Sequence, residues 1–373
     1  MVGSSMAPLG RLSGLLVLAL ALTACGTDAE RQGDGGLDVG GSESAEMPEA
    51  DDAADDPGAD EPDDDPGDAA DDVEVAEPAV RVVVTVSPVA DLVAQIGGDR
   101  VDVVSLVPAG ADAHTYEPRP QDVVGLSDAD AYLGVGLDLH AGALELAEEQ
   151  LPEDAPVVRL GELALDDDDL VFDHRHDDDH GHTHDDGDDQ LGPNPHVWTS
   201  LRNAAGLVDA IAETLAEIDP DGATTYEGAA QAYLDDLDDL DQRIAAATET
   251  IPDDARTLVT YHDAWTYFAR DYGLEYATAV QPTDLSDPSA SEVRDVIDLV
   301  RELDVPVVFG SEEFPTPVLE RIAEETGADY VDDLADDVLP GEPGDPEHTY
   351  LELMRRNAVT IVDALGGDAS ELT

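Results

Sequence analysis

Residues 226–250 read as one long amphipathic helix, and no other stretch limits the fold of this chain so strongly. Tyr233, Leu237, Leu240 and Ile244 fall on one face at i, i+4, i+7 and i+11. At 1.5 Å per residue such a helix spans roughly 36 Å, enough to run the height of a two-lobed protein. On either side of it, short apolar runs alternate with helical patterns. Before it, strands are predicted over 81–86, 101–107, 131–136 and 156–160, with helices over 89–96, 118–126, 141–149 and 201–218. After it come strands over 257–261, 274–279 and 305–309 and helices over 264–272, 289–303, 315–326 and 349–365. Ser289 stands three residues before Glu292, the spacing of a capping box.

Strands that alternate with helices argue for parallel sheets covered on both faces. The expected fold is therefore α/β, with two lobes, each a mostly parallel sheet flanked by helices, joined by one long rigid helix. The boundaries are set at 80–222 for the first lobe, 223–250 for the linking helix and 251–373 for the second lobe. No internal repeat is strong enough to define a unit.

The first 79 residues are of another kind. Arg11 precedes an apolar run over 12–22 that is too short to span a bilayer. Leu22-Thr23-Ala24-Cys25 follows and resembles the bacterial lipoprotein signal. That resemblance implies a signal peptide over 1–24, cleavage before Cys25 and lipid on its sulfur. Cys25 is the one cysteine of the chain, so no internal disulfide is expected, and any metal site must use nitrogen and oxygen donors. Residues 25–79 are mostly Asp, Ala, Gly, Glu and Pro; they bury too little to offset chain entropy and read as a disordered acidic tether.

Eighty-nine acidic residues face sixteen arginines, no lysine is present, and the formal net charge is −73. Such a field excludes nucleic acid as a partner and draws cations toward the surface. Adaptation to high salt is its simplest reading, since concentrated ions screen the self-repulsion. A monomer is expected.

The ten histidines are unevenly placed. His174, His176, His180, His182 and His184 crowd one acidic loop over 173–190. Their flexible setting predicts weak, secondary metal capture, because ordering the loop costs entropy. His114, His196 and His262 stand singly where a predicted strand or loop meets a helix, and ligands in open parallel sheets bind beyond the carboxyl ends of strands. Three neutral imidazoles with a carboxylate or water form a tetrahedral set suited to Zn²⁺.

Segments 110–120, 194–198 (Asn-Pro-His-Val-Trp), 261–274 and 340–357 together resemble the cluster A-I metal-binding proteins of zinc and manganese ABC importers. The resemblance covers residues 80–365. It implies a metal between the lobes with His114, His196 and His262 as ligands. The aspartate of that family lies in an Asp-Ser-Leu-like segment best matched by Asp332-Asp333-Leu334, so Asp332 is the expected fourth ligand, with Asp333 or water as alternatives. Manganese members usually carry glutamate where this chain has His262, and an acidic histidine-rich loop is a zinc-branch feature. The chain departs from the pattern at Asn194, where aspartate is common, and at Ser311, where glutamate is expected. Glu312 or Glu313 stands close enough in sequence to orient a ligand instead, the plainer reading being a solvated acidic turn. The implied function is an extracytoplasmic zinc-binding protein, tethered to the outer face of the membrane through Cys25, that delivers Zn²⁺ to an ABC permease. A manganese-binding or adhesin member of the same family is the alternative. A zinc hydrolase ranks lower, since no His-Glu-x-x-His is present.

Overall fold

The computed structural model describes residues 78–108, 114, 116–166, 168–172, 192–281, 288–312 and 317–373. Cys25, the expected signal peptide and tether, and the five loop histidines His174, His176, His180, His182 and His184 lie outside them.

Among the described residues the strands form two four-stranded sheets. The first comprises β1 (Val80–Val84), β2 (Val101–Ser105), β3 (Ala131–Gly134) and β4 (Val157–Arg159), in the order β2-β1-β3-β4 with parallel pairs throughout. The second comprises β5 (Thr257–His262), β6 (Glu275–Gln281), β7 (Val307–Ser311) and β8 (Asp329–Leu334), in the order β6-β5-β7-β8, again parallel. The strand order of the first sheet thus recurs in the second without a legible sequence repeat. Each sheet reverses its order beside its first strand, the topological switch point at which open sheets bind ligands.

The helices of the first lobe are α1 (Ser87–Gly97), α2 (Pro120–Ser127), α3 (Ala141–Gln150) and the short α4 (Leu160–Ala164), followed by α5 (Leu201–Ile218). Ser200 caps α5 by accepting from the Asn203 N–H at 3.0 Å, one of the donors a helix start leaves open. The long α6 (Ala223–Thr248) spans 26 residues, about 39 Å. The second lobe adds α7 (Thr266–Tyr272), α8 (Ala290–Glu302), α9 (Pro317–Thr326) and α10 (Tyr350–Ala364). The Ser289–Glu292 capping box is formed, with the Ser289 N–H donating to the Glu292 carboxylate at 2.6 Å.

The face expected of α6 is the one it buries: Tyr226, Ala230, Tyr233, Leu237, Leu240 and Ile244. These side chains join one apolar cluster that takes in Val82 and Val84 of β1, Leu133 of β3, Leu258 of β5 and Phe309 of β7. The inner core therefore runs from one sheet to the other through the long helix. A smaller cluster covers the outer face of each sheet, around Tyr132 and Leu126 in the first and Val308 and Ile297 in the second. No described helix is long and apolar enough to cross a membrane.

Two elements differ from expectation. The strand expected over 156–160 ends at Arg159, with Leu160 opening an unpredicted short helix over Leu160–Ala164, and β8 was not predicted at all. β8 is an edge strand whose exposed Asp329, Asp332 and Asp333 give it the composition of a loop.

Candidate metal centre

Three segments far apart in sequence converge at the carboxyl ends of the strands. His114 occupies a turn in the connection between β2 and α2, half-buried. His262 is the last residue of β5 and is 8% exposed. His196 lies in the connection into α5, just before a 3-10 turn over Val197–Thr199, and is 2% exposed. Their Nε2 atoms meet: His196 is 3.1 Å from His114 and 2.9 Å from His262. Among the described residues this is the group of metal-ligating side chains close enough to share one ion.

Asn194 sets the orientation of His196. Its Oδ1 accepts from the His196 backbone N–H at 3.0 Å and lies 2.9 Å from Nδ1. Its Nδ2 donates to the Asp263 carbonyl at 2.7 Å, next to His262. Because Oδ1 can only accept, the proton of the neutral ring sits on Nδ1, and the Nε2 lone pair faces the other two histidines. The departure from aspartate at this position keeps the orienting contact and removes a charge. Burial, with His262 and His114 beside it, holds the His196 imidazole well below its usual pKa, so it remains neutral and ready to ligate.

The carboxylate that the structure brings beside a site histidine is that of Asp336, whereas the expected Asp332 points away from it. Asp332 lies inside β8 with its side chain exposed, whereas Asp336 follows the end of that strand, is 2% exposed and places Oδ2 3.8 Å from His262 Nε2. A ligand is expected beyond the carboxyl end of a strand, and Asp332 is two residues short of it. With β8 unrecognised, that rule could not be applied to the aspartates of this segment. Neither carboxylate oxygen of Asp336 accepts a hydrogen bond from a described residue. A buried carboxylate that accepts no hydrogen bond from a described residue and stands beside imidazole nitrogens is costly alone and well suited to a cation.

Trp198 is a second residue that sequence reasoning passed over. Its ring packs edge-on against His196, centroids 5.3 Å apart, and its Nε1–H donates to the Asp336 carbonyl at 2.8 Å. At the other departure, Ser311 is buried at the end of β7, while Glu312 is exposed and 4.0 Å from Arg356, as a solvated acidic turn would be. Glu313 lies outside the described residues.

The three imidazoles suit three corners of a tetrahedral ion. With metal–nitrogen bonds of about 2.0–2.1 Å, tetrahedral donors stand about 3.3–3.4 Å apart. The observed 2.9 and 3.1 Å nitrogen separations need shifts of only a few tenths of an ångström, while the Asp336 carboxylate, 3.8 Å from His262, stands outside the group of three and must move in to reach a shared ion.

Comparison with known proteins identifies the family to which the fold and site belong. Residues 82–364 match the family described as ZnuA, the periplasmic zinc-uptake complex component A. The chain is 30% identical to the manganese-binding lipoprotein MntA of Halalkalibacterium halodurans, over 76% of this chain and 88% of that protein. It is 32% identical to the iron-binding protein YfeA of Yersinia pestis, over 77% and 86%. Among solved structures it is similar to the periplasmic zinc-binding protein TroA of Treponema pallidum, with a TM-score of 0.67 and 27% identity over 77% of this chain and 99% of that one.

Proposed function

This chain belongs to the ZnuA family of metal-binding components of ABC importers, and from that membership we propose that its cargo is Zn²⁺, held by His114, His196, His262 and Asp336. Proteins of this family are substrate-binding components and not enzymes; they work outside the cytoplasm with a permease and an ATPase. The observation that carries the zinc reading is the convergence of three imidazole nitrogens, with the Asp336 carboxylate 3.8 Å from one of them. Imidazole-rich tetrahedral sites suit Zn²⁺, whereas Mn²⁺ favours oxygen donors and higher coordination. Asn194 and Ser311 are neutral at positions where acids are common, and among the described residues Asp336 has its carboxylate 3.8 Å from His262, which supports it as the charged ligand.

The remaining parts follow from the sequence. Lipid on Cys25 would tether the body to the outer face of the membrane through the acidic segment 25–79, leaving the chain a monomer. The histidines at 174, 176, 180, 182 and 184 would collect ions weakly, as a flexible set of ligands does.

Competition titration of zinc against manganese tests the reading. One zinc per chain should bind at the interface and displace manganese. His196→Ala should weaken zinc by at least about tenfold, roughly 1.4 kcal/mol. Preference for manganese or iron, the metals for which MntA and YfeA are named, would overturn the zinc assignment while leaving the site in place.

A further inference from the structure

We propose that Trp198 is a positioning residue that sets how closely the Asp336 carboxylate approaches the cargo ion, and thereby the preference between zinc and manganese. This rests on the reading of the site given above. Asp336 is held by its backbone: its side chain is buried and accepts no hydrogen bond from a described residue. Three anchors fix the segment that carries it. Asn357 of α10 bonds both polar groups of the Ala335 backbone, at 3.0 and 2.6 Å. Ser87 at the start of α1 donates to the Asp337 carbonyl at 3.0 Å. Among the described residues, Trp198 is the one recorded to grip the carbonyl of Asp336 itself, at 2.8 Å.

Trp198 is also the anchor that reaches a histidine ligand. It lies two residues beyond His196, packs on that ring, and is fully buried. Its own carbonyl accepts from the Tyr350 hydroxyl at 2.6 Å, so the indole has little freedom. One rigid side chain thus spans from the His196 side of the site to the Asp336 side and fixes their separation. Removing the indole N–H leaves the Asp336 carbonyl buried without its donor and frees that peptide to rotate. The carboxylate would then leave its 3.8 Å contact with His262. Three imidazoles and a water still satisfy Zn²⁺, while Mn²⁺ loses the charged oxygen donor it depends on.

The test is Trp198→Phe, with zinc and manganese affinities measured by competition on the full chain. Groups that orient metal ligands are commonly worth about 10–100-fold in affinity. Manganese binding should fall by at least about tenfold and zinc by no more than about threefold, so the zinc-to-manganese ratio rises. In an Asp336→Asn background the same substitution should leave the ratio unchanged, because the group it positions is already gone. Equal losses for both metals, or an undiminished effect in the double variant, would overturn the proposal by making Trp198 a packing residue only. Should the phenylalanine variant fold poorly, a tryptophan analogue with sulfur in place of the N–H, incorporated in a Trp265→Phe chain, makes the same comparison at constant shape. Wild-type protein that binds neither ion overturns the site reading and this proposal together.

Discussion

Asp336→Asn should make the metal-free protein more stable and reduce the further stabilisation that a bound ion adds. The carboxylate is 2% exposed, accepts no hydrogen bond from a described residue, and has the 3.8 Å contact with His262 as its one recorded ionic neighbour. Leaving a buried polar group unsatisfied costs about 1–3 kcal/mol, and more when it is charged. His262 offsets part of that, and the asparagine amide is itself buried, so the net gain on neutralisation is about 1–2 kcal/mol. For a body of this size about 2 °C accompanies each kcal/mol, which places the apo melting temperature about 2–4 °C above wild type. Zinc then adds less. Each tenfold loss of affinity removes about 1.4 kcal/mol of ligand stabilisation, so the shift induced by excess zinc shrinks by about 3 °C per tenfold. Scanning calorimetry of chelator-treated and zinc-saturated samples reads both quantities. An apo variant that melts below wild type, or a zinc-induced shift of unchanged size, would refute the view of Asp336 as a cation ligand that is a liability without its cation.

Asn194→Ala removes the acceptor that orients His196 and should weaken zinc by about 10–100-fold in isothermal titration; a loss under about threefold would show that packing alone fixes the ring. Burial and the neighbouring histidines depress the His196 pKa in the folded state, so between that value and about 6.5 the unfolded chain binds the extra proton. Apo stability should therefore be intact above about pH 6.5 and fall as pH drops below it; His196→Gln should flatten that slope, and identical slopes in the two proteins would contradict the assignment. Deleting residues 174–184 should abolish weak zinc equivalents and leave the interface site within about threefold, roughly 0.65 kcal/mol. Loss of the tight site on deletion would place a loop histidine among the ligands.

The sequence made some parts of this architecture plain and hid others, for identifiable reasons. The buried face of α6 was legible because Tyr233, Leu237, Leu240 and Ile244 keep helical spacing in an otherwise polar stretch. His114, His196 and His262 stood out because each is an isolated histidine at the end of an element, and the structure brings them together. Asp336 was hidden among the eight acids between 329 and 347, where composition distinguishes none of them. Only the end of β8 singles it out, and that strand is obscured by solvent-facing aspartates at the sheet edge. The contact of Trp198 with Asp336 joins residues 138 positions apart and leaves no local pattern to read.

The shared core along α6 also governs how an ion can leave. Swinging the lobes apart about the helix would uncover the side chains of Tyr226, Tyr233, Leu237, Leu240 and Ile244 together with their partners on both sheets. At about 1.5–3 kcal/mol for each large apolar side chain, that exposure approaches about 10 kcal/mol, comparable to the whole stability of an ordinary domain. A clamshell motion is therefore nearly as costly as unfolding. The exit must be a local one, in which the turn carrying His114 or the segment carrying Asp336 lifts while the sheets stay still. A docking partner that pulled on either segment could empty the site with a displacement of a few ångströms, leaving the body of the protein ready to load again.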